Sequence, residues 1–348
     1  MSVNIIEFDR LSDGRVVHKV LLENKAGTSV SLLTLGAAIQ ALCFENKDIV
    51  LGFDCAEHYF NSGAYIGATV GRVCNRTADG RFTLNGNEYT LYCNEPDRQV
   101  HLHGGAVGFD KKIWDYSVVS ESDNPAVTFS TTSPDGEEGY PGNLQISVTY
   151  TLTEDNALVL EYNGEADADT PVNLTNHAYF NLNGCDGENV HNHYLQVNAD
   201  AYTPVTHRLV PTGDYAPVAD TAIDFRRLRL LGDSLTNEDA TMVYTGGVDH
   251  NFVLNEGADM AAVAYSPATG IRVRCETTMP GLQVYTGNFL DEPGGKYGCK
   301  WGKHQGFCLE TQYFPNSVNQ PSFPTIIRKA NEAFTFRTVY RMDKLEEV

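Results

Sequence analysis

Residues 144–162 read LQISVTYTLTEDNALVLEY. Leu144, Ile146, Val148, Tyr150 and Leu152 alternate with Gln145, Ser147, Thr149 and Thr151, the two-residue period of a strand with one buried and one open face. After the turn residues Glu154-Asp155-Asn156 the alternation resumes with Leu158, Leu160 and Tyr162, so the segment predicts a β-hairpin. Outward from it, Val127–Thr132, Tyr194–Asn198, Ile271–Thr277, Leu282–Phe289 and Ala333–Met342 carry the same strand character. The turn dipeptides Asp13-Gly14, Asp79-Gly80 and Asn85-Gly86 fall between further runs at the spacing of a meander. Only Ala56–Phe60 and Asn237–Tyr244 read as helical.

No low-complexity linker, Pro/Gly/Ser tract or fixed-period repeat divides the 348 residues. Many short antiparallel strands in one long chain predict an all-β protein built as a large two-sheet sandwich, either one wide unit or two in tandem. With 42% hydrophobic residues the chain has ample material for a core. Its 25 Lys and Arg against 45 Asp and Glu leave a formal charge of −20, which opposes binding to nucleic acid or to an anionic membrane surface. A neutral small molecule is the partner such a field leaves free to approach.

The opening stretch MSVNIIEFDRLSDG has neither the basic nor the apolar region of a secretory leader. The longest apolar stretch, Leu32 to Phe44, is interrupted by Thr34, Gly36 and Gln40 and is too short to span a bilayer. Eight scattered cysteines without a C-x-x-C pair predict reduced thiols. A cytoplasmic location is therefore expected.

G-x-G-x-x-G, Walker A, G-x-S-x-G and H-E-x-x-H patterns are all missing, so dinucleotide, nucleotide, α/β-hydrolase and zincin chemistry have no anchor. The pairs His101/His103 and His191/His193 would share a face if they lay on strands, but neither has a third ligand at a telling spacing, and no metal is expected. Four segments place polar, titratable residues inside apolar strand-like sequence: 100–105 (VHLHGG), 173–180 (NLTNHAYF), 247–252 (GVDHNF) and 307–312 (FCLETQ). Taken singly, each such group is as readily a satisfied structural residue. Brought to one groove, a histidine and a glutamate from distant strands form an acid and a base suited to a neutral hydroxylated ligand.

At these residues the chain resembles the galactose mutarotase (aldose 1-epimerase) family. The resemblance runs through six ordered blocks: 71–76 (GRVCNR) with 79–82 (DGRF); 102–105 (LHGG) with 108–110 (GFD) and Trp114; 176–182 (NHAYFNL); 247–252; 280–288 (PGLQVYTGN); and 309–312 (LETQ) with 314–316 (FPN) and 323–324 (FP). It implies that family's antiparallel β-supersandwich as a single domain over residues 1–348, and an isomerase that interconverts the α and β anomers of free aldohexoses such as D-galactose and D-glucose.

By the same resemblance His177 is the general acid on the ring oxygen and Glu310 the general base on the anomeric hydroxyl. Asn75, Arg76, His103, Tyr179, Asp249 and Gln283 are implied to bind the sugar, with no metal, nucleotide or redox cofactor. Attraction within a partly desolvated groove is expected to hold Glu310 ionised and His177 protonated. Val100 and Val248 depart from the family pattern beside His103 and Asp249 and are expected to bear on sugar preference. The two N-x-T sequons begin at Asn75 and Asn173, so a glycan at Asn75 would obstruct the groove. Two alternatives stand beside this reading. A hexose-6-phosphate 1-epimerase would need a cluster of cations for the phosphate, for which the site blocks supply only Arg72 and Arg76; the other alternative is a sugar-binding protein without catalysis.

Overall fold

The computed structural model describes residues 2–235, 239–257 and 260–345. The hairpin forms as the alternation predicts: Leu144–Leu152 pairs antiparallel with Ala157–Ala166, with Leu152 opposite Leu158. Every odd-positioned apolar partner of the first strand is buried, while Gln145, Ser147, Thr149 and Thr151 stay at least partly open. Asn156 takes the turn with φ of 59°, a left-handed conformation that asparagine tolerates better than branched residues do.

This hairpin supplies the third and fourth strands of a nine-stranded sheet. Ala157–Ala166 does not pair onward with its successor in sequence but with the C-terminal strand Phe334–Lys344, which in turn pairs with Ile271–Thr277. A six-stranded sheet faces it, with Tyr179–Phe180, Phe307–Gln312, Gly281–Tyr285, Asp249–Val253, Ala201–Tyr202 and Ala216–Pro217 as successive neighbours. The inner faces meet in one core: Val148, Tyr150, Leu160, Val273 and Tyr340 from the first sheet join Leu282, Val284, Leu309 and Phe252 from the second. The Tyr340 hydroxyl donates to the Leu309 carbonyl at 2.8 Å, which gives a buried phenol its partner and ties the sheets together. An N-terminal five-stranded sheet, Ser2–Arg10 to Lys47–Asp48, completes the architecture. The fold is an all-β antiparallel sandwich, as expected.

Two local expectations need correction. The strand read over Leu282–Phe289 ends at Tyr285, because the Thr286 hydroxyl turns to the Val248 carbonyl and Gly287 takes a left-handed φ of 63°. Of the helix read over Asn237–Tyr244, residues 237 and 238 lie outside the described residues, and Ala240–Met242 forms a single 3-10 turn capped by Asp239. The helix read over Ala56–Phe60 is present as Ala56–Asn61, and Leu231–Leu235 is a further short helix.

Candidate active site

Register across the six-stranded sheet assembles one polar row after another on its outer face. Tyr179 lies opposite Cys308, Cys308 opposite Tyr285, and Tyr285 opposite Asp249. The next row sets Glu310 opposite Gln283 and Gln283 opposite Asn251. Because faces alternate along each strand, Leu309, Val284 and Phe252 go into the core while Cys308, Glu310, Gln283 and Asp249 stay on the polar side. His177, two residues before Tyr179, joins them.

A second wall comes from the pairing of Arg76–Ala78 with Val100–Leu102. His103 leaves that ladder with a left-handed φ of 52°, and its Nδ1 accepts from the backbone N–H of Asn75 at 3.2 Å. The next residue must be glycine: a Cβ on Gly104 would sit 1.9 Å from the Gly71 carbonyl oxygen. Arg76 is clamped by Glu95, Nε to Oε2 at 2.8 Å.

Between the walls lies a cavity of about 340 Å³, lined by Asn75, Arg76, His103, His177, Tyr179, Asp249 and Glu310 among others. Such a volume is at the lower end for small-molecule sites and suits a single sugar ring. His177 Nε2 and Glu310 Oε1 are 3.7 Å apart, with both side chains almost fully buried. Tyr65 stacks on the His177 ring at 6.0 Å between centroids, and His103 meets it edge-on at 5.3 Å. Glu310 Oε2 is buried without a hydrogen-bond partner, a costly state that a ligand hydroxyl in the cavity would relieve.

Charge in this cavity differs from expectation. Burial pushes the His177 imidazole down to about 4, and burial, with Asp249 adding to it and Arg76 opposing, pushes the Glu310 carboxyl well above the usual carboxylate range. At 3.7 Å the pair is too far apart for a hydrogen bond to offset that desolvation. Both shifts oppose the ion pair read from the sequence and favour the neutral arrangement, a protonated carboxyl beside a neutral imidazole.

A family model described as aldose 1-epimerase matches residues 18–341. The galactose mutarotase of Rattus norvegicus is 44% identical over 339 residues, covering 95% of each chain. The aldose 1-epimerase of Escherichia coli is 37% identical over 322 residues, covering 90% of each. Among solved structures, a galactose 1-epimerase from Lactobacillus acidophilus superposes with a TM-score of 0.88 at 30% identity, covering 99% of both chains. The chain belongs to the aldose 1-epimerase family. It is thus an enzyme of the isomerase class.

Of the eight residues singled out in this epimerase's sequence, seven line the cavity. Gln283 is the exception: it lies opposite Glu310 in the sheet, its Nε2 donates to Asp249 Oδ1 at 2.6 Å, and its Oε1 is buried without a hydrogen-bond partner. Val100 and Val248 are fully buried and outside the lining, the latter within the main core; their departures repack the support and do not touch the cavity. Arg72, counted as a cation near the site, spends its guanidinium on Ser133, Pro141, Gly142 and Thr170. Tyr65, Glu95, Tyr285 and Phe289 line the cavity without having been singled out; the loop residues Tyr65 and Phe289 carry no periodicity that would reveal them.

Neither histidine pair stays together. His101 bonds the Tyr92 carbonyl and the Tyr140 hydroxyl, away from His103. His191 is the middle residue of the 3-10 turn Val190–Asn192 and meets His304, while His193 follows the turn and accepts from the Leu182 N–H. Among the described residues His103, His177 and Glu310 do bring ligand-type atoms within 4.8 Å of one another. The Asn75 N–H occupies Nδ1 of His103, however, which keeps the proton of the neutral ring on Nε2. That nitrogen then presents a donor and not a lone pair, and this donor set does not suit a metal.

Proposed function

We propose that the chain catalyses mutarotation of free aldohexoses, D-galactose and D-glucose among them, with Glu310 as general base on the anomeric hydroxyl and His177 as general acid on the ring oxygen. The approach of His177 Nε2 and Glu310 Oε1 to 3.7 Å inside a cavity the size of one pyranose is the observation that carries it.

Sugar binding supplies a hydroxyl to Glu310 and a ring oxygen to His177, and hydrogen bonds to the charged forms favour moving the shared proton from the carboxyl to Nε2. Glu310 then takes the proton of O1, the O1 electrons form the C1 carbonyl, the C1–O5 bond breaks, and His177 delivers its proton to O5. Ring opening leaves Glu310 protonated and His177 neutral, the arrangement that burial favours, so desolvation of the pair assists the bond-breaking step. Rotation about C1–C2 and reversal of the transfers give the other anomer, with protons balanced at every stage. Arg76, His103, Tyr179 and Asp249 supply the polar contacts that would orient the hydroxyls, and Gln283 supports Asp249. The domain is read as single, since one core cluster runs from Val20 to Met342. A reducing, cytoplasmic location is supported by eight cysteines that are all free.

The phosphorylated-sugar alternative loses its cations: Arg72 is committed elsewhere and Arg76 is neutralised by Glu95. Polarimetry on freshly dissolved α-D-galactose and α-D-glucose tests the proposal. Wild type should accelerate equilibration, while Glu310→Gln and His177→Asn should each lower kcat by about 10²- to 10⁴-fold. Variants as fast as wild type would sink the assigned roles, and stronger competition by hexose 6-phosphates than by free hexoses would sink the substrate class.

A further inference from the structure

The side of His177 that faces away from the cavity has one hydrogen-bonding side chain against it. Cys308 Sγ lies 3.5 Å from Nδ1, and both groups are buried. The register explains the contact, since Cys308 is paired with Tyr179 and lies two residues before Glu310 on the strand that carries the base. One strand therefore presents a carboxyl to Nε2 and a thiol to Nδ1 of the same ring. The ring also meets Tyr65, Tyr179, Tyr285 and His103 in ring contact and a hydrogen bond from its own backbone, with Arg76 and Asp249 across the cavity.

We propose that Cys308 is a positioning residue for the acid: Nδ1–H of His177 donates to its sulfur in every protonation state, so that Nε2 alone exchanges protons with Glu310 and the sugar. The inference rests on the reading of His177 as the acid. Burial and the nearby Glu310 raise the thiol well above its ordinary range, so the partner stays neutral. A thiol is a weak acceptor. It fixes the tautomer, as a second hydrogen bond to histidine does, without the strong stabilisation of imidazolium that a carboxylate would give. The acid therefore stays strong enough to protonate an ether oxygen. During ring opening the proton leaves Nε2 while Nδ1–H remains in place, so the ring need neither flip nor re-tautomerise between the two half-reactions.

Cys308→Ser and Cys308→Ala, nearly equal in size, separate the hydrogen bond from the packing. The hydroxyl is the stronger partner, so Ser should move the acid limb of kcat/KM to higher pH and keep most of kcat. Ala should lower kcat several-fold with KM little changed. Nitrogen NMR of the imidazoles, assigned by loss of a signal in His177→Asn, should show Nδ1–H in wild type and a mixture of tautomers in Cys308→Ala. Identical acid limbs and kcat in the two variants, or an Nε2–H tautomer in the wild-type protein, would overturn the proposal. Should Cys308→Ala fail to fold, the wild-type tautomer and the Ser limb still decide it. Full activity of His177→Asn would instead overturn the assignment of the acid, which keeps the two failures apart.

Discussion

At the residue scale, the site is governed by what burial does to two titratable groups of opposite type. It disfavours the imidazolium of His177 and the carboxylate of Glu310 alike, which pushes the two limbs of the pair's titration apart. The proposed mechanism needs one proton on the pair, and the sign of both limbs follows. As pH falls through about 4, His177 charges while Glu310 stays protonated, and the base is lost. As pH rises through the elevated Glu310 value, the last proton leaves and the acid is lost. The pH profile of kcat/KM should therefore be bell-shaped with its acid limb near 4, the apparent values belonging to the coupled pair. An acid limb near 6.5, the ordinary value for histidine, would show that His177 is not desolvated in the working enzyme. His177 and Glu310 were legible as candidates because polar, titratable residues interrupt apolar strand sequence. Their protonation was not, since it depends on a 3.7 Å separation and on burial that no local pattern reports.

At the scale of elements, the cavity depends on a loop that brings Phe289, Leu290, Asp291 and Glu292 to its rim. Lys296 anchors that loop: its Nζ, almost fully buried, donates to the Gln40 carbonyl at 2.7 Å and to the Val50 carbonyl at 3.0 Å and pairs with Asp48. Trp301 adds an indole N–H to the Gly52 carbonyl at 2.9 Å. Lys296→Met would leave Asp48 buried without its counter-charge, a change that costs about 3 to 5 kcal/mol. Thermal unfolding should show a clear drop in Tm, and KM for the sugar should rise as the rim loosens; an unchanged Tm would contradict the anchoring role. This loop lay beyond sequence reading. The strand read over Leu282–Phe289 overran its end because hydrophobic content persists to Phe289, while the break comes from a hydroxyl contact between Thr286 and Val248, far apart in the chain.

For the whole molecule, buried neutral histidines make the fold sensitive to acid. His193, held by the Leu182 N–H, is pushed down to about 4 by burial, like His177. The unfolded chain binds these protons near 6.5 and the folded chain only near 4, so ΔG of unfolding should fall as pH drops through that window. A shift of this size is worth roughly 3 kcal/mol for a fully buried group. Glu310, raised by burial, acts in the opposite sense, so His193→Gln is the cleaner probe. Urea titrations from pH 7 to pH 4 should show less acid sensitivity in that variant than in wild type, and equal sensitivity would refute the account. Alternation and turn dipeptides determined by themselves the all-β class, because face and turn preferences act within a few residues, and the ordered blocks marked His177 and Glu310 as candidates. Tertiary structure alone decided which strands are neighbours: the last strand, Phe334–Lys344, lies between Ala157–Ala166 and Ile271–Thr277. It also decided that Gln283 donates to Asp249 and that Cys308 meets Nδ1 of His177. Those outcomes depend on register between segments distant in the chain and on the desolvation it produces, and neither quantity is written in any single stretch of sequence.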